Sequence, residues 1–413
     1  MNERRKLLPK LRFPEFQGAG AWTTKKLGSV ASISTEKVGI ADCVPMSITS
    51  GLGLVSQADK FGRVIAGDSY KNYLRLKPND FAYNKSATKE FPEGFLTLYS
   101  GSKLAAVPNS IFTCFRVNGD SPLPTYINYL FLGNLHGQWL RKFIQVGARA
   151  HGSLSINDSD LMALPVPLPA GNSSIAEQQK IADCLSSLDD LISAQARKVD
   201  LLKAHKSSLL QQLFPREGET QPCLRFPDFR GGRGWTVSKL GNIAENLDNR
   251  RVPITSGNRD SGEIPYYGAS GVVDYVKDFI FDEDLLCVSE DGANLLARTY
   301  PIAFSISGKT WVNNHAHVLR FEHACTQKFV EKYFNSIKLN DFITGMAQPK
   351  LNKAMLDSIP IPLPGIPEQQ CIADCITALD ELIKAELQVL DVLKTQKQGL
   401  MQQLFPQFNS SEP

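Results

Sequence analysis

The side chains with the clearest capacity for chemistry stand close together in the sequence, as Asn313, Asn314, His315 and His317. Two histidines at alternate positions of a strand share one face, and imidazole is a frequent metal ligand. A nuclease-type metal centre would need a third and a fourth ligand, and the neighbouring sequence offers none. We therefore expect these residues to be satisfied polar side chains rather than a metal site.

Other patterns that could indicate enzyme chemistry are incomplete. Residues 308–310 (Gly-Lys-Thr) resemble the end of a phosphate-binding loop, but Ala303 stands where that loop needs a glycine. Residues 51–53 (Gly-Leu-Gly) are too short for a cofactor loop, and the Asn-Pro-Pro-Tyr type of motif that adenine methyltransferases use does not occur. Asp228 could be a nuclease carboxylate, but the duplicated segment described below carries Glu15 at that position, which favours a structural role. We predict no catalytic residue, metal or cofactor in this chain.

Composition narrows the class of protein. A chain of 413 residues, 42% hydrophobic and 21% charged, is globular and long enough for two or three domains. Its net charge of +3 is too small to identify a nucleic-acid binder without local clustering of Lys and Arg. The eight cysteines form no CxxC pair, so reduced thiols are expected. Because the sequence shows neither a signal peptide nor an apolar run of about 20 residues, we expect a cytoplasmic protein without a membrane partner.

Two segments recur along the chain. Residues 11–28 (LRFPEFQGAGAWTTKKLG) return without a gap as residues 224–241 (LRFPDFRGGRGWTVSKLG). Residues 177–192 (EQQKIADCLSSLDDLI) return as residues 368–383 (EQQCIADCITALDELI), each copy following a proline-rich strap and leading into QQLFP. Prolines stiffen these straps and prevent an early start of the helix. Because QQLFP leads into LRFPDF in mid-chain, we expect the last and first segments of the chain to lie together as well.

The segments between these repeats share little likeness and mix β-type with helical runs. We therefore predict an α+β fold in which two α/β domains are separated by two long helices, with an internal duplication and pseudo-twofold symmetry. The predicted boundaries are residues 1–170 for the first domain, 171–216 for the first helical spacer, 217–364 for the second domain and 365–413 for the second spacer.

Apolar residues in both helical segments recur at alternating steps of four and three, which is the pattern of a coiled-coil seam. At about 37 residues and ~1.5 Å per residue, each helix would be about 55 Å long, or about 16 base pairs of DNA. The seam positions are Ile181, Leu185, Leu188, Ile192, Val199, Leu202, Leu209 and Leu213, and in the second copy Ile372, Ile376, Leu379, Ile383, Leu390, Leu393, Leu400 and Leu404.

Polar residues interrupt the seam at matching places, which are Gln195 and Lys206 in the first helix and Glu386 and Lys397 in the second. Parallel helices in register would place Lys206 against Lys397, two like charges in a poorly solvated layer. Antiparallel helices instead allow Lys206 to meet Glu386 and Gln195 to meet Lys397. We predict an antiparallel coiled coil with this register.

The order of these motifs resembles a known family. Paired FP-x-F…W-x-x-x-K-L-G openings, with P-x-P-L-P…EQQ-x-IAD helices that end in LFP, are similar to the specificity subunit of type I restriction-modification systems over essentially the whole chain. The second variable domain adds IPYYGASG, EDGA, VNNHAHVL and AQPKLN, which resemble target-recognition domains of that family. The first domain departs more, since residues 152–157 (GSLSIN) stand at the site that matches AQPKLN.

The resemblance implies a non-catalytic DNA-recognition subunit. Each recognition domain would read one half of a bipartite DNA target, and the helices would set the length of the nonspecific spacer. The implied partners are double-stranded DNA, two methylation subunits that methylate adenine with S-adenosylmethionine, and restriction subunits that translocate and cleave DNA. S-adenosylmethionine, ATP and Mg would therefore be bound by the partner subunits.

Reading a DNA sequence needs side chains that hydrogen-bond base edges, chiefly Arg or Lys with guanine and Asn or Gln with adenine, together with cations on phosphate. Loops of the two domains can supply both. We predict DNA contacts at Asn84, Lys85, Lys89, Arg149 and His151 in the first domain, and at Ser270, Arg298, Lys309, Asn314, Gln348 and Lys350 in the second.

Two other functions fit the same architecture. A free-standing two-domain DNA-binding regulator would need no methylation partner, and purification with and without such a partner separates the two. A coiled-coil adaptor with protein ligands alone would show no salt-dependent DNA binding.

Overall fold

The structure is a computed structural model that describes residues 7–49, 53–144, 154–216, 218–345 and 347–406, apart from the side chain of Asp68. The chain divides into two compact units, Met1–Ala194 with Val389–Pro413, and Gln195–Gln388. Each long helix contributes to both units. In the described part of the chain, no helix is long and apolar enough to cross a membrane.

Where it is described, the first unit contains ten strands and five short α-helices, followed by the first long helix, α6. The strands are β1 Thr23–Lys26, β2 Ala31–Ser34, β3 Val44–Thr49, β4 Gly53–Ser56, β5 Leu74–Leu76, β6 Phe81–Asn84, β7 Phe95–Leu98, β8 Ala105–Val107, β9 Phe112–Val117 and β10 Pro165–Leu168. The helices are α1 Leu27–Val30, α2 Gln57–Phe61, α3 Pro124–Leu132, α4 Leu135–Leu140, α5 Asp158–Met162 and α6 Ser174–Leu213.

Among its described residues, the second unit has a matching series of ten strands, with three α-helices before the second long helix, α10. The strands are β11 Thr236–Lys239, β12 Ala244–Asn246, β13 Ser261–Gly268, β14 Gly271–Val276, β15 Phe281–Asp282, β16 Leu285–Ser289, β17 Ala303–Ile306, β18 Lys309–Val312, β19 Ala316–Phe321 and β20 Pro360–Leu363. The helices are α7 Asn294–Ala297, α8 Ala324–Ser336, α9 Lys353–Ser358 and α10 Ile366–Leu404.

The two units share one sheet topology, strand for strand. In the first, four-stranded sheets run in the orders β2-β9-β6-β7 and β4-β3-β8-β5; in the second, the orders are β12-β19-β16-β17 and β14-β13-β18-β15. The pairs β3 with β8 and β13 with β18 are parallel, and the other pairs of these sheets are antiparallel. The predicted α+β fold and internal duplication are therefore confirmed, although the variable segments show little likeness in sequence.

The repeated motifs of each unit contact one another. Strand β1, which follows the LRFP opening, pairs with the proline-rich strand β10, and β11 pairs with β20 in the same register. Arg12 forms two hydrogen bonds of 2.7 Å with the carboxylate of Glu177, and Arg225 forms the same two with Glu368. Because both carboxylates are almost fully buried, each arginine neutralises a charge that would otherwise be costly. The repeats are thus a structural frame for the variable sheets.

The ends of the long helices pack into the cores of the units. Phe405, just beyond α10, lies 5.6 Å from Tyr126 in the first unit, and Phe214, just beyond α6, lies 5.3 Å from Phe329 in the second, measured between ring centroids. The N–H of Leu11 donates to the carbonyl of Gln403 at 2.9 Å. The predicted meeting of the first and last segments is therefore confirmed within the described residues.

The two long helices are antiparallel, as predicted. In the second unit, Gln195 of α6 bonds to Glu386 of α10, while Lys206, further along α6, forms an ion pair with Asp380, earlier on α10. A pairing that runs forward along one helix and backward along the other defines an antiparallel pair. The lengths of 40 and 39 residues are close to the predicted 37.

Candidate nucleic-acid interface

In the second unit, several loops meet where strand β16 ends. The hydroxyl of Ser289, the last residue of β16, donates to the carbonyl of Ala269 at 2.5 Å, in the turn between β13 and β14. The N–H of Glu290 donates to the carbonyl of His315 at 2.9 Å, in the loop between β18 and β19. Further backbone bonds attach residues 349–351 to the same strand end. The result is one surface built from four stretches of chain.

Four of the six residues predicted to contact DNA in this unit lie on that surface. Ser270, Asn314, Gln348 and Lys350 are all exposed. The ammonium of Lys350 lies 3.2 Å from the carboxylate of Glu290 and stays more than half exposed. The structure therefore brings together amide, hydroxyl and ammonium groups from different loops, which is the set that direct and backbone readout of DNA needs.

The two remaining predictions lie elsewhere. Arg298 has a φ of 53° and donates to the carbonyls of Phe334 and Ile337 at 3.1 and 2.7 Å, at the end of α8. Burial lowers the pKa of its guanidinium, and the two terminal nitrogens each donate to the helix end, which favours a structural role for Arg298. Lys309 starts β18, about 13 Å of strand away from Asn313, and its ammonium lies 4.8 Å from the ring centre of Phe279.

In the first unit the predicted residues surround the end of β6, the counterpart of β16. Asn84 is buried, Lys85 is half-buried with its ammonium 3.6 Å from Asp158, and Lys89 is exposed. Arg149 and His151 lie outside the described residues. Three of the five predicted residues thus lie at the end of β6 or in the loop that follows it, and of these three only Lys89 is exposed.

Both basic side chains named on the surface of the second unit lie beside an acid. Lys350 is paired with Glu290, and Nδ1 of His315 lies 2.8 Å from Asp291. A surface with so little excess positive charge releases few counterions when it meets DNA. Strong binding would consequently need positive charge from other parts of an assembly.

Below this surface, Asp248, Glu290 and His317 place possible metal-ligating atoms within 4.8 Å of one another. Each of those atoms already has a protein partner. Nδ1 of His317 lies 2.6 Å from Asp248 and Nε2 lies 2.7 Å from the carbonyl of Leu351, while Arg251 donates to Glu290 at 2.6 Å. A cation here would have to displace Arg251, so the cluster fits the predicted role of satisfied polar residues better than a metal site.

The cluster also holds its acids in the charged form. Burial opposes the charge of Asp248, but hydrogen bonds from His317 and Val318 outweigh it and lower the pKa of the carboxyl. Burial likewise opposes the charge of Glu290, whose pKa is lowered by Arg251 and His317. Two ionised acids that are hydrogen-bonded to Arg251 and His317 thus support residues 349–351 from below.

Comparisons with known proteins agree with this architecture. Residues 232–395 match the family model described as the type I restriction modification DNA specificity domain. A Haemophilus influenzae protein named as a type I restriction enzyme specificity subunit is 36% identical over 143 residues, which are 35% of this chain and 37% of that protein. A Methanocaldococcus jannaschii protein named as the MjaX specificity subunit is 25% identical over 323 residues, 75% of this chain and 73% of that protein.

A solved structure shares the fold. The crystal structure of the type I restriction-modification S subunit from M. genitalium has a TM-score of 0.59 and 14% identity, and covers 98% of this chain and 100% of that one. Residues 232–395 thus carry the sequence pattern of a type I restriction modification DNA specificity domain, and the chain is similar in sequence to specificity subunits over most of its length. The match to the Haemophilus relative spans little more than a third of that relative's length, so activity, targets and partners are proposals for this chain.

The contacts between the two long helices correct the predicted register. Lys206 pairs with Asp380 rather than Glu386, and Lys397 pairs with Asp189 rather than Gln195. The prediction considered only seam positions as partners. A lysine has a long stem that can lie along the seam while its ammonium reaches an acid at the helix edge.

Glu386 is thereby left for other partners in the same unit. It accepts hydrogen bonds from Gln195 at 2.6 Å and from Lys198 at 2.7 Å. Asp189 and Asp380 stand at equivalent positions of the duplicated helices, so both units use one lysine-to-aspartate design. Each aspartate also contacts its own sheet domain, through Tyr129 at 2.9 Å and Lys332 at 3.2 Å.

The sequence did not reveal that Asp248, Arg251 and Glu290 support the surface at the end of β16. Asp248 and His317 are 69 positions apart, and nothing in the local pattern links them. The one available indication was the alternation in VNNHAHVL, which places His317 on the opposite strand face from its neighbours.

Proposed function

We propose that this chain is the DNA-reading subunit of a type I restriction-modification enzyme, with each unit reading one half of a bipartite target. The supporting observation is that one sheet topology occurs twice, and in each copy predicted DNA contacts gather at the end of the same strand, β6 or β16. Duplicated readers suit a target that has two separated halves.

Within each unit we propose specific reading residues. In the second, Asn314 and Gln348 would contact base edges, with Ser270 beside them, and Lys350 would contact phosphate. The domains doing the reading would be residues 1–170 and 217–364, with the helical spacers at residues 171–216 and 365–413.

In the first unit the proposed reading residues are Lys85 and Lys89 together with Asn84. Arg149 and His151 stay predictions. Arg298 is left out because both terminal nitrogens of its guanidinium donate to carbonyls at the end of α8.

The partners follow from the proposed role. Double-stranded DNA would be held together with two methylation subunits docked on the helices, and restriction subunits would complete the enzyme. In this proposal the chain itself is non-catalytic, and the partner subunits bind S-adenosylmethionine, ATP and Mg. The helices, ~60 Å long at ~1.5 Å per residue, would set the spacer between the half-sites.

Selection from a pool of random DNA duplexes tests this proposal. The full chain is used alone and after co-purification with a methylation subunit from the same operon. We expect a target with two defined halves and an undefined spacer, bound strongly only in the presence of the partner. Strong, specific binding by the chain alone would instead favour a free-standing regulator. No salt-dependent enrichment in either sample would overturn DNA reading altogether.

A further inference from the structure

The first unit contains a cavity that the proposed role does not explain. It has a volume of about 260 Å³ and lies at the end of β6. A water molecule occupies about 30 Å³, so the cavity has room for a much larger group. Its walls are mostly apolar with a few polar groups, which is how small-ligand sites are built. The lining includes Ile48, Lys60, Asn84, Ser86, Phe91 and Phe95.

Two polar groups that line this cavity have unused donors, the hydroxyl of Thr49 and the amide of Asn84, and the amide offers the larger contact. Only 7% of Asn84 is exposed, and its Oδ1 accepts a hydrogen bond of 2.9 Å from the N–H of Ser86. Because a backbone N–H can only donate, this bond fixes which end of the amide is oxygen. The Nδ2 group then has no hydrogen-bond partner among the residues that the structure describes. This donor faces the cavity, where water or a bound group can accept its hydrogen bond.

The opposite wall is aromatic. The rings of Phe91 and Phe95 meet edge to face with centroids 4.5 Å apart. Lys60, which is exposed, adds a cation beside the cavity, held by the carbonyl of Ile48 and, at 3.3 Å, by the hydroxyl of Ser47. An aromatic surface, an amide donor and a nearby cation are the elements that bind an unstacked base and its phosphate.

The burial of Asn84 decides how a base could be bound. Its side chain does not project from the protein, so it cannot reach a base edge inside an intact groove. A base that leaves the stack can instead enter the cavity and offer an acceptor atom to Nδ2. We propose that this cavity captures one unstacked nucleobase of the half-site that the first unit reads. The inference rests on the proposed function and adds a way of reading to it.

The second unit is built differently at the equivalent place. Ser289 ends β16 as Asn84 ends β6, but its hydroxyl contacts the carbonyls of Ala269 at 2.5 Å and Ile302 at 3.2 Å. That group is satisfied inside the protein, and it ties the β13–β14 turn to the strand end. Base capture therefore belongs to the first unit, and only one half of the target should contain an unstacked base.

The test uses the assembled complex of the full chain with its methylation partner on the selected duplex. Permanganate oxidation reports unstacked thymines, and 2-aminopurine placed at each purine in turn reports unstacked purines. Asn84→Asp is the main variant, because it keeps the oxygen that accepts from Ser86 but removes the donor. Asn72→Asp is the matched control, since it makes the same change at an exposed position that does not line the cavity.

We expect one base in one half-site to be unstacked by the unmodified chain and by N72D, and stacked again with N84D. The variant should bind that duplex about two- to tenfold more weakly, the range for one lost hydrogen bond. A mismatch opposite the captured base should tighten binding of the unmodified chain. A mismatched base is already unpaired, so binding no longer has to supply the free energy that breaks a base pair. Phe95→Leu removes one ring of the aromatic wall without adding a charge. It should also reduce the signal from the unstacked base.

Two results would overturn base capture while leaving the proposed function intact. One is specific binding with no unstacked base in the half-site read by the first unit. The other is an unstacked base whose reactivity is equal in the unmodified chain and N84D, as expected for a base extruded by the methylation partner. Absence of specific binding by the unmodified complex would overturn the proposed function itself, and base capture with it.

Discussion

Gln348 and Lys350 stand two residues apart on the reading surface of the second unit, yet they differ in what they can do to DNA. An amide can bond to a base edge in only certain patterns, whereas an ammonium acts as a point charge. Gln348→Ala should weaken the free energy of binding to the preferred sequence by about 1–3 kcal/mol and reduce the preference at one base position. Lys350→Ala should weaken all sequences alike and lower the salt slope of binding by about 1. Binding to a panel of single-base variants at several salt concentrations measures both.

The contrast between these two variants is its own control, because both change exposed side chains of one segment. The assigned roles would be contradicted if Gln348→Ala lost the same affinity for every sequence, or if Lys350→Ala lost affinity at one base position alone.

Arg298 was predicted to contact DNA because it is an arginine, but its contacts in the structure indicate a role in the stability of the fold. Its two donors satisfy carbonyls at the end of α8, and no other donor of the described residues is seen on the carbonyls of Phe334 and Ile337. Arg298→Ala should therefore lower the free energy of unfolding by about 1–3 kcal/mol, since buried acceptors lose their partners. Base preference should not change. Urea unfolding combined with the same duplex panel checks this, and a changed preference without loss of stability would return Arg298 to the interface.

At the scale of elements, the register of the long helices can be tested by exchange of charges. Glu386 pairs with Lys198, although the seam pattern alone suggested Lys206. Lys198→Glu and Glu386→Lys should each lower the melting temperature, because each places like charges together, and the double exchange should restore most of the loss. The effect should be modest, since Lys198 is more than half exposed.

The matched comparison is the exchange of Lys206 with Glu386. In the structure Lys206 binds Asp380, so this exchange should show no recovery in the double variant. Recovery there, and none with Lys198, would support the register expected from the seam.

The sheets of the first unit contain an ion network that predicts acid sensitivity. Hydrogen bonds from Arg75, and then from Lys77, lower the pKa of Glu36 from 4.5 to about 2, and Arg116 adds a further contact. A carboxyl whose pKa is lower in the folded state stabilises the fold above its unfolded pKa and loses that effect as the pH falls. Stability should thus fall between pH 4.5 and 2 through this group.

Glu36→Gln should remove that part of the acid dependence, while Glu322→Gln, at an exposed acid of the second unit, should leave it unchanged. Unfolding free energies measured across this pH range compare the variants. An identical acid profile for Glu36→Gln and the unmodified chain would show that the network does not act in this way.

Elements with a repeating pattern could be predicted from the sequence. The four-and-three spacing from Ile181 and Ile372 predicted α6 and α10, and the interruptions at Lys206 and Lys397 predicted their antiparallel direction. The partners of those lysines were wrong, because Asp189 and Asp380 lie at the edge of the seam and a pattern of apolar residues does not weigh them.

The sheets could be predicted only as β-type runs. Their order depends on contacts between strands far apart in the chain, such as β2 with β9 and β12 with β19. Short strands of three to six residues give too little alternation to define a partner. The cavity of the first unit was unpredictable for the same reason, since β3, α2 and the β6–β7 loop meet there only in three dimensions.

For the molecule as a whole, duplication makes each unit a control for the other. The same buried pair occurs as Arg12 with Glu177 and as Arg225 with Glu368. The strand ends carrying the proposed contacts are equivalent, but one ends in the open amide of Asn84 and the other in the bonded hydroxyl of Ser289. A shared frame with different loops is the arrangement expected of two readers with different half-sites.

The central claim, that each unit reads one half of a divided target, is tested most directly by mapping methylated adenines in cells that carry the chain with its methylation partner. With the unmodified chain, the methylation partner should methylate adenines within a two-part sequence that has an undefined spacer. The variant Gln348→Ala should relax a position in one half and leave the other half and the spacer unchanged. A single undivided target, or relaxation of both halves by that one change, would contradict the account.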